Sequence, residues 1–180
     1  MTALTVWTHG GGLLSILAPI GLTVAAGTAL LVDLDSTGPS YWGAATLADL
    51  VRAGPRRDDL RPQVAGPAVL ANGGIEPDRA GPVIRALADG WPAVVFRSPG
   101  DTADFAPIVP VYPLLPEAVS AEPDRFCVFQ RTGFEAGDSG PGITLPCPRR
   151  RTIQSLLSGS LPVRSRWIRA WADVWRHPWS

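Results

Sequence analysis

The feature that most constrains this chain is an uncharged stretch of 20 residues, 13–32. As one helix it would span about 30 Å, enough to cross a bilayer. However, it contains Pro19, Gly21 and Gly27, and no Lys or Arg precedes it. It continues into Leu-Leu-Val-Asp-Leu-Asp at 30–35, which is typical of a buried strand that reaches an acidic loop. We therefore expect a buried helix followed by a strand, and keep a membrane helix over 13–32 as the alternative.

The surrounding elements predict a parallel α/β fold. A β-favouring run at 4–7 and three glycines, Gly10, Gly11 and Gly12, precede the helix, as in a β-loop-α-β crossover unit. Further strands are predicted at 69–70, 92–96, 107–112, 126–129 and 143–145, and helices at 42–52, 77–88, 150–158 and 163–176. We predict one domain over 1–180, with a mostly parallel sheet flanked by helices on both faces.

The charged residues and the cysteines exclude several kinds of chemistry. All 16 basic residues are arginine, so Schiff bases and the phosphate-binding lysine of a P-loop are absent. They are balanced by 16 acidic residues, and this neutrality gives no sign of nucleic-acid binding. The cysteines and histidines are too few and too widely spaced to predict a metal site; they are Cys127, Cys147, His9 and His177. No serine lies in a G-x-S-x-G motif, which argues against a triad hydrolase.

The first crossover unit has Thr-His-Gly-Gly-Gly-Leu-Leu-Ser at 8–15, directly after its first strand. This segment resembles the K-G-G-x-G-K-[ST] loop of the MinD/ParA family of deviant Walker A ATPases, whose fold is the three-layer P-loop NTPase sandwich. Residues 30–38 are similar to the family's strand that ends in D-x-D-P-Q-G, with Ser36-Thr37-Gly38 in the place of P-Q-G, and residues 93–100 are similar to the strand that ends in D-x-P-G. Residues 145–159 are similar to its late strand, loop and helix. The resemblance follows the family's order over most of the chain and implies the same fold.

The departures from the family pattern fall on its chemical residues. The family's first loop lysine reaches the partner's nucleotide and its second neutralises the β- and γ-phosphates, whereas this chain has His9 and Leu14 there. Ser15 stands at the position of the magnesium-binding hydroxyl, and Asp33 at that of the acid that orients water. Arg97 replaces the later acid that supports magnesium. Because phosphoryl transfer depends on positioned cations, the resemblance implies a catalytically inactive relative, a pseudo-ATPase.

The resemblance also implies a vestigial nucleotide site without catalytic residues. Its members are Gly10, Gly11, Gly12, Ser15 and Asp33. We expect no metal and no cofactor, although glycine N–H groups at a helix start could retain ATP or ADP. Arg97 could contact a phosphate directly or pair with Asp33 in place of a metal. The enzymatic alternative is an atypical ATPase that uses His9 or an arginine instead of the lysines.

The C-terminal segment predicts an amphipathic helix over 163–176. Trp167, Trp171 and Trp175 are four residues apart and form one aromatic face. This face could pack on the core, dock into a partner's groove, or lie on a membrane surface as the C-terminal anchor of MinD proteins does. We take the three tryptophans as candidate interaction residues. A basic cluster, Arg149–Arg151, begins the preceding helix, where positive charge is unfavourable without an acidic partner or solvent.

Together these observations predict a cytoplasmic bacterial protein that acts through binding. The resemblance implies a protein partner, either a second copy of the chain or an active ATPase of the same family. Members of that family position chromosomes, division sites or pili, so an accessory positioning role is implied. No nucleic-acid partner is expected.

Overall fold

The structure is a computed structural model that describes residues 2–9, 12–43, 45–101, 104–115, 125–134, 140–161 and 164–179. Its strands are β1 (Thr2–Thr8), β2 (Ala29–Asp33), β3 (Pro67–Leu70), β4 (Ala93–Arg97), β5 (Ile108–Leu114), β6 (Cys127–Arg131) and β7 (Gly142–Leu145). Its helices are α1 (Gly12–Ala26), α2 (Leu47–Ala53), α3 (Pro77–Gly90), α4 (Arg150–Leu157) and α5 (Arg166–Arg176).

The strands form one sheet in the order β3-β2-β4-β1-β5-β6-β7. Every neighbouring pair is parallel, which confirms the α/β prediction. Strands β2 and β3 lie on one side of β1, and β4 lies between β2 and β1. Strands β5, β6 and β7 extend the sheet on the other side of β1. Because all carboxyl ends share one edge, the loops that can form a ligand site in such a sheet are gathered there.

Helices cover both faces of the sheet, as predicted. Helices α1, α4 and α5 contribute to one hydrophobic cluster, and α2 and α3 to the other. Strand β4 supplies both, because successive side chains of a strand point to opposite faces. Val95 lies in the α1 cluster, and Val94 and Phe96 lie in the α3 cluster.

The uncharged stretch at 13–32 is divided between two elements. Gly27, with φ of +83°, follows the end of α1, and its N–H donates to the carbonyl of Val24. The chain then enters β2, which is buried throughout. The membrane helix considered for 13–32 is therefore not formed. Among the described residues, no helix combines the length and hydropathy needed to cross a membrane.

Two helices begin later than the sequence predicts, because side-chain caps fix their first turns. Helix α2 was expected from residue 42 but starts at Leu47, where the Thr46 hydroxyl accepts from the N–H of Asp49. Helix α5 was expected from 163 but starts at Arg166, where the Ser165 hydroxyl accepts from the N–H of Ile168.

Candidate functional site

An ion pair joins the last residues of β2 and β4 at the carboxyl edge of the sheet. The parallel register places Asp33 directly beside Arg97. Arg97 Nη1 lies 3.2 Å from each carboxylate oxygen of Asp33. The two residues are 2% exposed (Arg97) and 0% exposed (Asp33). The sequence analysis raised this pairing as one of two roles for Arg97, and the structure contains it.

The loop after β2 completes the surroundings of Arg97. Its Nη2 donates to Asp35 Oδ2 at 2.7 Å, and its Nη1 donates to the carbonyl of Pro39 at 2.7 Å. The guanidinium carbon lies 5.3 Å from the ring centroid of Tyr41, within range of a cation–π interaction. The Tyr41 hydroxyl donates to the carbonyl of Ile16 at 3.0 Å and so ties the loop to α1. Two carboxylates, one carbonyl and one ring therefore enclose a single cation.

The loop itself is shaped around the Asp35 carboxylate. Its Oδ1 accepts from the backbone N–H of Thr37 at 3.0 Å and of Gly38 at 2.7 Å. A Cβ at Gly38 would collide with Asp35 Oδ2 and with Arg97 Nη2, so the loop can close on the cation only because this residue is glycine. The sequence analysis did not assign this role to Asp35. The pattern Asp-x-Thr-Gly, typical of an Asx turn, was the available signal.

The two acids of this network have opposite pKa shifts. Burial raises the pKa of Asp33 to about 6, and the charge of Arg97 offsets only part of that rise. Burial also acts to raise the pKa of Asp35, but hydrogen bonds from Gly38 and Thr37, with the charge of Arg97, outweigh it and lower the pKa. Burial raises the pKa of Tyr41 well above its ordinary value, so its hydroxyl remains a donor.

These residues do not fit a magnesium ion. Magnesium is bound by oxygen ligands in near-octahedral geometry, and both oxygens of Asp33 already face a guanidinium. A divalent cation beside Arg97 would be repelled. Among the described residues, no group of three or more His, Cys, Asp or Glu side chains could hold a metal ion.

The glycine loop is only partly described. Gly10 and Gly11 lie outside the described residues, while Gly12 begins α1 with φ of +67°. The Ser15 hydroxyl donates to the carbonyl of Gly12 at 2.8 Å, so it bonds within its own helix. Leu14, at the position of the family's second lysine, is partly buried and packs on the α1 cluster. Neither side chain supplies a charge at the start of α1.

His9 lies at the end of β1 against aromatic rings. Its imidazole stacks on Tyr112 with 5.4 Å between ring centroids, and Trp7 meets Tyr112 edge-on at 5.8 Å. The backbone N–H of His9 donates to the carbonyl of Val111 at 3.0 Å. The residue that replaces the family's first lysine is therefore part of an aromatic cluster between β1 and β5.

The tryptophan face of α5 packs on the core, which is the first of the three possibilities considered for it. Trp167 is 2% exposed and Trp171 0%, and their rings meet edge-on against α1 at Gly21, where a Cβ would collide with both. Trp167 Nε1 donates to Gln130 at 2.6 Å, and Trp175 Nε1 donates to the carbonyl of Leu22 at 2.9 Å. Burial of these rings against α1 stabilises the fold and leaves neither Trp167 nor Trp171 free to meet a membrane or a partner.

No protein-family description and no curated protein matches this chain. Among solved structures, it is similar to a ParA family ATPase from Chlorobium tepidum TLS, with a TM-score of 0.61 and 14% sequence identity. The similarity covers 98% of each chain. At this identity the comparison establishes the fold and not the chemistry. The chain therefore has a ParA-like P-loop NTPase fold.

Proposed function

We propose that the protein is a ParA-like domain that does not hydrolyse ATP and acts by binding protein partners. The observation that carries this proposal is the ion pair of Arg97 with Asp33 and Asp35. In a relative that hydrolyses ATP, the carboxylate at the position of Asp33 would have to be free to bind a water molecule or a cation. Here it is buried against a guanidinium fixed by further hydrogen bonds.

The start of α1 supports the same proposal. Hydrolysis needs cations that stabilise charge on the transferred phosphoryl group. The chain has no lysine, and the leucine at the position of the second loop lysine packs on the core. Arg97 could serve only by leaving the buried carboxylate of Asp33 without its cation, which would cost about 3–5 kcal/mol. The network therefore replaces the metal structurally.

The partner proposal rests on the fold. The structural neighbour is described as a ParA family ATPase, and the family resemblance of the sequence implies a role in cellular positioning. We propose a cytoplasmic accessory that pairs with a second copy of itself or with an active ATPase of this family. An atypical ATPase remains the enzymatic alternative that the following experiment decides.

The test is calorimetry with ATP and ADP, with and without Mg²⁺, together with phosphate release from ATP. We expect no Mg²⁺-dependent binding and no release above that of the buffer. The matched variants are Ser15→Ala, which removes the surviving hydroxyl at a partly exposed site, and Asp33→Asn. Phosphate release by the unaltered protein that falls tenfold or more in either folded variant would overturn the proposal and establish the ATPase.

A further inference from the structure

A second feature of the same sheet edge is a groove between the ends of β6 and β7 and the starts of α4 and α5. Its volume is about 730 Å³. We call it the arginine groove, because six arginines line it: Arg131, Arg149, Arg151, Arg164, Arg166 and Arg169. Strands β1 and β5 separate it from the Asp33–Arg97 pair.

The arginine groove is not neutralised by the part of the chain that the structure describes. All six arginines are exposed, and none of the described residues that line the groove is acidic. The ion pairs among the described residues involve Arg52, Arg97 and Arg176, and none of the six. Like charges held together in a concave site raise the local positive potential and attract anions.

The net charge of zero conceals this arrangement. Residues 140–180 contain seven arginines and one acidic residue, Asp173. The Asp173 carboxylate is bound at 2.6 Å by Arg176, which lies outside the groove. The excess positive charge of this segment is therefore concentrated at the groove.

The first turn of α4 adds to the positive charge. Arg149 caps this helix without a side-chain hydrogen bond, and the first turn contains no acidic residue. Arg149 and Arg151 thus stand at the positive end of the helix dipole, where an anion would be favourable and a cation is not. The sequence analysis left an acidic partner or solvent open for this cluster. In the groove, two further segments, the end of β6 and residues 164–169, bring arginines to the same place.

We propose that the arginine groove binds a compact ligand that carries two or more phosphoryl groups. The volume falls in the range of small-molecule pockets and is too small for a stretch of duplex nucleic acid. Six guanidinium groups around such a volume match a ligand that concentrates several negative charges in a small space. Guanidinium groups bind phosphoryl oxygens in paired hydrogen bonds, which gives such a site selectivity for phosphate geometry. This inference does not rest on the proposed function, because it uses neither Asp33 nor the glycine loop.

The experiment is calorimetric titration of the full chain with inorganic tripolyphosphate and pyrophosphate, without metal. The test variant is Arg149→Gln/Arg166→Gln, which removes charges from two walls of the groove. The matched control is Arg56→Gln/Arg57→Gln, which removes the same charge from an exposed loop outside the groove. We expect tripolyphosphate to bind more tightly than pyrophosphate. Its affinity should fall at least tenfold in the groove variant and change less than twofold in the control. Thermal unfolding should show that both variants remain folded.

Three outcomes would overturn the inference. No heat of binding up to about 1 mM tripolyphosphate excludes a site of useful affinity. An equal loss of affinity in both variants would indicate a general charge effect. Tighter binding of polyglutamate than of tripolyphosphate would assign the groove to an acidic peptide. The same variant separates this inference from the proposed function. Metal-independent ATP binding that is lost in the groove variant would be assigned to the arginine groove. Mg²⁺-dependent ATP hydrolysis that survives in the groove variant would be assigned to the site of Asp33 and the glycine loop.

Discussion

Arg97 and the six arginines of the groove lie along one edge of one sheet, yet their surroundings are opposite. Arg97 is 2% exposed and is bound by Asp33, Asp35 and the carbonyl of Pro39. The groove arginines are exposed, and within the described ranges of the chain no acidic residue lines the groove. Where the chain supplies the anion itself, the cation is part of the fold. Where the described residues supply none, we expect the anion to come from solvent or a ligand.

The largest expected effect comes from removing the buried cation. Arg97→Met keeps much of the side-chain volume but leaves the carboxylates of Asp33 and Asp35 without their partner. Breaking a buried ion pair on one side costs about 3–5 kcal/mol, so the free energy of unfolding in urea should fall by that amount. Arg166→Met is the matched change in the groove and should alter it by less than about 0.5 kcal/mol. An equal loss in free energy of unfolding in the two variants would contradict the difference between the buried cation and the exposed groove arginines.

The next effect is a pH dependence that belongs to the buried network alone. The pKa of Asp33 is raised from its ordinary value of 3.8 to about 6, so between these values the folded protein holds a proton that the unfolded chain has released. That contribution to stability is fully present below about pH 4 and is lost as the pH rises through 6. It amounts to about 2–3 kcal/mol, from 1.36 kcal/mol per pKa unit.

Urea unfolding of the unaltered protein and of Asp33→Asn at several pH values measures this contribution. From pH 4 to pH 7 the variant should gain about 2–3 kcal/mol in free energy of unfolding relative to the unaltered protein. Asp35→Asn is the control of opposite sign. The pKa of Asp35 is lowered, so its contribution is lost only as the pH falls below the ordinary value. A difference between Asp33→Asn and the unaltered protein that stays constant with pH would contradict the raised pKa.

A smaller effect tests how tightly the loop closes on Arg97. Gly38→Ala places a methyl group against Asp35 and Arg97, and the displaced network should cost about 1–3 kcal/mol. Gly100→Ala is the control, because no described residue beyond its two chain neighbours has an atom within 4 Å of the added Cβ. Chemical denaturation of the two variants gives the comparison. If Gly38→Ala is as stable as Gly100→Ala, the loop does not depend on close contact with the cation.

The smallest expected effect is an increase, not a decrease, in the free energy of unfolding. Arg151→Gln removes one positive charge from the first turn of α4, where the helix dipole and the neighbouring arginines oppose it. The free energy of unfolding should rise by about 0.3–0.5 kcal/mol at low salt and lose that gain at high salt. Thermal unfolding at two salt concentrations measures it. A destabilised variant would mean that Arg151 already has an anionic partner.

Much of the fold could be predicted because local patterns determine it. Short apolar runs and helical spacing predicted all seven strands and all five helices that the structure describes, with errors at the helix starts where Thr46 and Ser165 act as caps. The tryptophan spacing of α5 predicted an aromatic face but not its neighbour. The tryptophan rings pack against α1 at Gly21. Neither the sequence of α1 nor that of α5 alone predicts this contact.

By itself, the amino-acid sequence determined the parallel α/β architecture, the absence of lysine chemistry and the pairing option for Arg97. The first two depend on residue type and on neighbours close in the chain, and the third came from the resemblance to the MinD/ParA family. Only the tertiary structure decided that Asp35, Pro39 and Tyr41 join Asp33 around Arg97, and that six arginines from separate segments line one groove. Electrostatic interactions depend on distance in space and on burial, and both arise only when the sheet brings remote strand ends to one edge.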